Sequence, residues 1–239
     1  MTAKRLFDVV FAAAVLLAAA PVLLAAMLLV WAHDGGPPLY RGVRVGKDGR
    51  DFRMLKLRSM SVGAETRGGS STAASDARLT PIGRSLRRWK LDELPQFWNV
   101  LAGEMSVVGP RPNTRRGGVE RYTCEELRLL NVQPGITDLS SILFSDEADI
   151  LDGAADPDAL YDAVIRPWKS RLGLLYVERR SLPADLRIVW LTALAIVARP
   201  LALEGLAGLL AQWGAAPELI EICRRTAPLP QAEPPGQAA

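Results

Sequence analysis

Two adjacent carboxylates, Asp92 and Glu93, stand just ahead of Pro95, a residue favoured in the first turn of a helix. A helical pattern of about ten residues follows. The turn Gly109-Pro110-Arg111-Pro112 closes the block. The segment thus brings a nucleophile or metal ligand, a helix N-terminus and a guanidinium close together in sequence. These are the parts that handle a phosphorylated substrate. A plainer reading exists, because aspartate is a good N-cap and glutamate suits a first turn.

Composition narrows the chemistry. The 239 residues carry a net charge of +3 and an isoelectric point near 9.1. That is mildly basic, suited to an anionic membrane face or a phosphate ligand. No nucleic-acid fingerprint is present, and a nucleic-acid partner is not expected. The single histidine, His33, cannot supply a Ser-His-Asp triad or a histidine metal cluster. Cys124 and Cys223 are too few for a four-thiolate zinc site and read as reduced structural cysteines. Catalysis falls by subtraction to carboxylates, lysine and arginine.

The elements that must position these groups begin with an apolar run. Residues 9–32 contain no charge, and as a helix they would rise ~36 Å, enough for a ~30 Å hydrocarbon core. The run is too long for a signal peptide, whose apolar core is ~7–15 residues. Pro21 falls in its middle, where a missing N–H and a ring disrupt a helix. Lys4 and Arg5 precede the run, and Arg41, Arg44, Lys47 and Arg50 follow it. Basic residues on both sides favour a re-entrant helix-break-helix anchor with both ends cytoplasmic over a single spanning helix.

Further along, residues 39–57 alternate around Gly46-Lys47-Asp48-Gly49 as a β-hairpin. Residues 61–77 read as a mobile surface loop. Thr80-Pro81 opens a short basic helix over 84–90. Residues 115–130 look helical, 133–137 read as a turn, and 160–175 as a further helix. Asp146, Glu147 and Asp149 lie in an acidic stretch with no assigned role. Ser181 caps a helix over 182–199. Its apolar stripe, Leu186, Val189, Trp190, Ala193, Ile196 and Val197, would face either the core or a bilayer surface. Residues 201–213 would extend that surface, and the tail from 226 is too proline-rich to order. The domains are therefore 1–34 (anchor), 35–199 (catalytic), 200–225 (helical extension) and 226–239 (tail).

The stretches Leu91-Asp92-Glu93-Leu94-Pro95-Gln96, Gly103-Glu104-Met105-Ser106 and Gly109-Pro110-Arg111-Pro112, at this spacing, closely resemble the bacterial sugar transferase family of monotopic phosphoglycosyl transferases. The resemblance runs from about residue 4 to about residue 196. It implies an α+β fold, mainly helical and membrane-associated, with a small β-hairpin, an N-terminal re-entrant helix and a C-terminal amphipathic interfacial helix. In this likeness Arg5, Asp8 and Pro21 belong to the anchor.

The resemblance also implies a two-step reaction. An aspartate attacks the sugar-bearing phosphate of a nucleotide diphosphate sugar, most simply UDP-linked, and a nucleoside monophosphate leaves. A polyprenyl phosphate then takes the phosphosugar. By position, Asp92 would be the nucleophile, with Lys56 beside it, and Glu93 and Asp92 would hold Mg²⁺. Lys56 and Arg58 match a Lys-x-Arg segment, Arg88 falls one turn before Asp92, and Arg111 sits between Pro110 and Pro112. Gln133 and Thr137 complete the substrate-binding set. A carboxylate needs no base to activate it at neutral pH, and a diphosphate that repels it calls for Mg²⁺ and basic side chains.

The chain departs from the family pattern at Asp138-Leu139-Ser140-Ser141 and at Gly173, which touches the sugar and nucleotide contacts and leaves the nucleophile intact. The expected setting is the cytoplasmic face of a bacterial inner membrane, among membrane lipid, with a homodimer compatible. A catalytically silent scaffold and a salt-sensitive binder of anionic lipid are the rival readings.

Overall fold

A computed structural model describes residues 2–64 and 71–237. Thr2 caps the first helix, α1 (Ala3–Asp34), by accepting from Arg5 N. Helical hydrogen bonding continues across Pro21, so the expected break is corrected to one unbroken element. Its outward side is apolar and exposed, with Leu17, Leu24, Leu28 and Trp31 among the bare residues.

Both ends of α1 are fastened to the same domain. At the start, Arg5 donates to Val100 O and Leu101 O at 2.6 and 2.9 Å, satisfying carbonyls that the end of a helix leaves open. Asp8, buried, accepts from Ser106 Oγ and Val107 N at 3.0 Å. Lys4 Nζ lies 2.6 Å from Asp185 Oδ2. At the far end, the Arg58 guanidinium grips Asp34 through two 2.5 Å bonds and donates to Pro37 O, while Ala26 and Val30 pack on Leu57 and Leu86.

The hairpin is present as expected. Strands β1 (Leu39–Val45) and β2 (Asp51–Leu57) pair antiparallel, with Tyr40 opposite Lys56. Of the loop expected at 61–77, residues 65–70 lie outside the described residues. Residues 71–75 dock on the acidic stretch, for example Ala74 N on Ala148 O at 3.0 Å. Helix α2 (Pro81–Arg88) starts at Thr80, whose hydroxyl accepts from Gly83 N. Gly83 is required there, since a Cβ would lie 1.9 Å from Ser59 O. Then come α3 (Gln96–Ala102) and strand β3 (Ser106–Val108).

Several expectations are corrected. Residues 115–130 form turns and two 3₁₀ stretches, Val119–Arg121 and Glu126–Asn131, instead of one helix. The Glu126 carboxylate accepts from Thr123 N, Ser170 Oγ and Arg166, which fixes the chain in this shape. Residues 133–137 are more than a turn: β4 (Gly135–Thr137) pairs parallel with β3. Gly135 lets the backbones meet, since a Cβ there would lie 2.1 Å from Gly109 N.

Short helices α4 (Leu139–Leu143), α5 (Glu147–Ile150) and α6 (Pro157–Leu160) follow. A π-helical turn, Tyr161–Ile165, leads into α7 (Arg166–Arg179), which extends the helix expected over 160–175. Trp168, Leu172 and Tyr176 of α7 fill the main core with Ile142, Leu143 and Ile188.

Helix α8 (Leu182–Val197) is capped by Ser181 as expected. It buries Ala184, Ile188 and Leu191 and leaves bare the stripe that includes Leu186, Trp190, Ile196 and Val197, with Trp190 66% exposed. Helix α9 (Arg199–Gln212), expected to extend that surface, instead buries Ala202, Leu203, Leu206 and Leu210 in the core. Helix α10 (Pro217–Arg224) packs beside it. The tail, expected to be disordered, is bound: Trp168 Nε1 donates to Pro230 O, Ala232 N to Ala163 O and Thr123 Oγ1 to Pro235 O. The cysteines are free, with Cys124 exposed and Cys223 buried.

One side chain fixes the hairpin against α3. Buried Asn99 accepts from Leu55 N at 2.9 Å and donates to Arg53 O and Glu104 Oε2 at 2.8 and 2.7 Å. It thereby satisfies the free edge of β2 as another strand would. Asn99→Leu orphans both strand groups and is expected to cost about 2 kcal/mol or more. Thermal unfolding of the detergent-solubilised protein checks this, and an unchanged midpoint would refute it.

Candidate active site

A sharp reversal aims the carboxylate pair. Helix α2 ends at Arg88 with Trp89 as its cap, and Lys90 turns the chain with φ +56°, a left-handed conformation unusual for a residue with a Cβ. A 3₁₀ turn, Leu91–Glu93, follows, and the backbone stays right-handed through Leu94 and Pro95 into α3. Both carboxylates therefore sit at the head of a short helical segment that Asn99 ties to β2, the strand carrying Lys56.

The two acids are treated differently. Glu93 Oε1 accepts from Lys56 Nζ at 2.9 Å and from Arg111 at 2.6 Å. Asp92 is 5% exposed, and among the described residues it accepts no hydrogen bond. Its nearest cation is Lys56, 3.9 Å away. Burial pushes the Asp92 carboxyl above the usual aspartate value, against the pull of Lys56 and with the help of its neighbour Glu93. Burial would raise Glu93 as well, but Arg111 and Lys56 outweigh it and hold that carboxyl well below the glutamate range. Burial lowers the Lys56 ammonium despite Glu93. Arg111 is held further up, by Glu93 first and by Glu147 and Asp138 as lesser neighbours. The result is one ionised acid clamped between two cations and, beside it, one acid with free lone pairs.

The structure gathers Asp92, Glu93, Lys56 and Arg111, with Pro110 and Pro112 buried on either side of Arg111. The other expected site residues are elsewhere. Arg58 is committed to the Asp34 latch. Arg88 is exposed, whereas the half-buried Arg87 donates from Nε to Ser59 Oγ at 2.9 Å and lies in the field of Asp92. Gln133 donates to Gly103 O, and the Thr137 hydroxyl pairs with that of Thr192 at 2.6 Å. Neither bonds to the carboxylate pair. Arg5 and Asp8 brace α3 and β3 as well as the anchor.

Sequence reasoning missed Asn99, whose signal was an amide inside an otherwise apolar helix. It also passed over Glu147, which forms a close ion pair with Lys169 and lies in the field of Arg111.

For Mg²⁺, the donor set fits. Both bonds to Glu93 fall on Oε1, Asp92 is unbonded, and two adjacent hard-oxygen carboxylates suit a cation that draws its remaining ligands from water and substrate phosphate. Among the described residues, no three His, Cys, Asp or Glu side chains form a closed cage.

Residues 1–199 match the Bacterial sugar transferase family, and the chain belongs to that family. It is similar to a UDP-glucose:undecaprenyl-phosphate glucose-1-phosphate transferase of Klebsiella pneumoniae, with 36% identity over 80% of this chain and 39% of the relative. It is also similar to a UDP-N-acetylgalactosamine-undecaprenyl-phosphate N-acetylgalactosaminephosphotransferase of Aeromonas hydrophila, with 33% identity over 81% of this chain and 43% of the relative. A third relative is the exopolysaccharide production protein PSS of Rhizobium leguminosarum bv. phaseoli, with 35% identity over 82% of this chain and 96% of the relative. The chain thus spans well under half the length of the first two and nearly all of the third.

A carboxylate whose folded pKa is raised stabilises the fold only below that pKa and opposes folding above it. Asp92→Asn is therefore expected to melt at the same or a higher temperature at pH 7 while losing all turnover. A large drop in melting temperature would mean that Asp92 only supports the fold.

Proposed function

We propose that this chain is a polyprenyl-phosphate sugar-1-phosphate transferase working through a covalent phosphosugar-aspartyl enzyme. The observation that carries the reading is an Asp92 that accepts no hydrogen bond among the described residues, beside a Glu93 locked between Lys56 and Arg111. Names of the relatives point to a UDP-sugar donor and undecaprenyl phosphate as acceptor.

In the first step an Asp92 oxygen bonds to the sugar-bearing phosphorus. The bond from that phosphorus to the leaving nucleoside monophosphate breaks, and the electron pair departs on UMP. In the second step an oxygen of the polyprenyl phosphate bonds to the same phosphorus, and the Asp92 carboxylate is released. Lys56, Arg111 and Arg87 hold the diphosphate against the repulsion of the acids. Asp92 and Glu93 would hold Mg²⁺, which supplies charge neutralisation at the bridging and leaving oxygens.

The reading extends to the membrane. Straight, α1 would be ~48 Å long, enough to cross a bilayer. A crossing would place its two ends on opposite faces, yet Asp8 and Asp34 are both bonded to the same domain. The helix therefore enters and stays with one leaflet, its apolar side in lipid. The bare α8 stripe around Trp190 lies at the interface. UDP-sugars are polar and the acceptor is a lipid, so the reaction belongs at the cytoplasmic face of the inner membrane, as the opening step of glycoconjugate assembly.

Two measurements test this. The protein is incubated with a panel of UDP-sugars without acceptor and its intact mass recorded. A phosphosugar adduct is expected on the parent protein and none on Asp92→Asn. Release of UMP without any adduct, or no reaction with any donor, would overturn the reading. For topology, Ala3→Cys and His33→Cys in a Cys124→Ser background are expected to resist a membrane-impermeant maleimide in intact cells. Labelling of either from outside would contradict a one-sided anchor.

A further inference from the structure

Gln96 opens α3 and is 1% exposed, yet among the described residues its Nε2 has no hydrogen-bond partner. An amide buried and unpaired costs about 1–3 kcal/mol, so a native protein that keeps one needs a reason. One turn earlier, Asp92 is buried and accepts no hydrogen bond among the described residues, with Lys56 3.9 Å away. The backbone between them keeps right-handed helical angles through Leu94 and Pro95. The two residues therefore occupy positions i and i+4 of one face, the spacing at which a glutamine amide reaches a carboxyl group. A donor without an acceptor and an acceptor without a donor stand within one turn, and the resting protein keeps them apart. The nearest cation to Asp92 at rest is Lys56.

We infer that Gln96 is the hydrogen-bond donor to Asp92 in its esterified form, and that it speeds discharge of the phosphosugar to the acceptor. The inference rests on the covalent reading above. When one Asp92 oxygen bonds to phosphorus, the side chain loses its charge and the pull of Lys56 lapses. The other oxygen becomes an ester carbonyl and accepts from Gln96 Nε2. In the second step the acceptor's oxygen bonds to phosphorus and the bond from phosphorus to Asp92 breaks. The electron pair returns to the carboxylate, and no proton is gained or lost. A donor already on the second oxygen steadies the returning charge. In the first step the same bond would blunt the nucleophile, which is why its absence at rest is useful.

Gln96→Met keeps the size and removes the donor. Because that donor is unpaired at rest, the melting temperature is expected to be unchanged or higher. In rapid-mix experiments followed by intact mass, adduct formation from the UDP-sugar should stay within about threefold of the parent. Discharge by undecaprenyl phosphate should slow by about tenfold to a hundredfold, the range that one hydrogen bond to a charged group commands. The adduct should then accumulate during turnover. Gln96→Leu, which lacks the donor at any pH, should show the slow discharge as well. Equal slowing of both half-reactions, or neither slowed, would overturn this role. A parent that forms no adduct would sink the covalent reading and this role with it, an outcome distinct from a parent that forms an adduct and variants that discharge it normally.

Discussion

A single carboxylate held between two cations sets the character of this protein. Glu93 takes up both Lys56 and Arg111 on one oxygen, so two positive charges are fixed in place beside Asp92, where the proposed reaction would bring a diphosphate. Asp92, next to it, is spared. Were Lys56 to bond Asp92 as tightly as it bonds Glu93, the lone pairs that the proposed attack on phosphorus would use would be occupied, and the buried carboxyl would lose the elevated basicity that desolvation gives it. Adjacent residues of one type thus acquire opposite duties from the geometry of their neighbours.

That geometry depends on long-range ties more than on the local sequence of the block. Asn99 seals the edge of β2 and so fixes Lys56 against the head of α3. Arg5 closes the other end of α3, and Asp8 holds β3, whose pairing with β4 places Gly109, Pro110 and Arg111. Lys4 and the Tyr176 hydroxyl both reach Asp185 on α8, the helix with the bare apolar stripe. The helices with bare apolar faces and the carboxylate site are therefore tied together. A shift of α1 along its axis would move α3 and β3 with it, so in the proposed membrane setting the depth of α1 and the alignment of the site would be linked.

Much of this was legible in the sequence, and the failures have physical causes. The carboxylate pair, Lys56, Arg111, the hairpin, a short basic helix opened by Thr80-Pro81 and the cap at Ser181 follow from local chemistry and motif likeness. Arg58 was misplaced because it leaves the end of β2, where alternation no longer dictates direction, and a distant Asp34 captures it. Arg88 was chosen over Arg87 because the left-handed turn at Lys90, which decides which arginine lies in the field of Asp92, has no signature in a lysine. The three-residue strands β3 and β4 are too short for a period and depend on two glycines meeting from far apart in the chain. Helix α9 was assigned to the surface because apolar composition alone cannot tell a protein core from a lipid face. Asn99 and Gln96 stood in plain view, but an amide reveals its work only when its partners, or their absence, are located.

The central claim, that Asp92 carries the phosphosugar between two separate half-reactions, is tested most directly by isotope exchange. The protein is mixed with unlabelled UDP-sugar and radiolabelled UMP, with no polyprenyl phosphate present. A covalent enzyme runs its first step backwards, so label is predicted to appear in the UDP-sugar with the parent and to be absent with Asp92→Asn. Exchange that requires the lipid acceptor, or that survives in Asp92→Asn, would contradict the account.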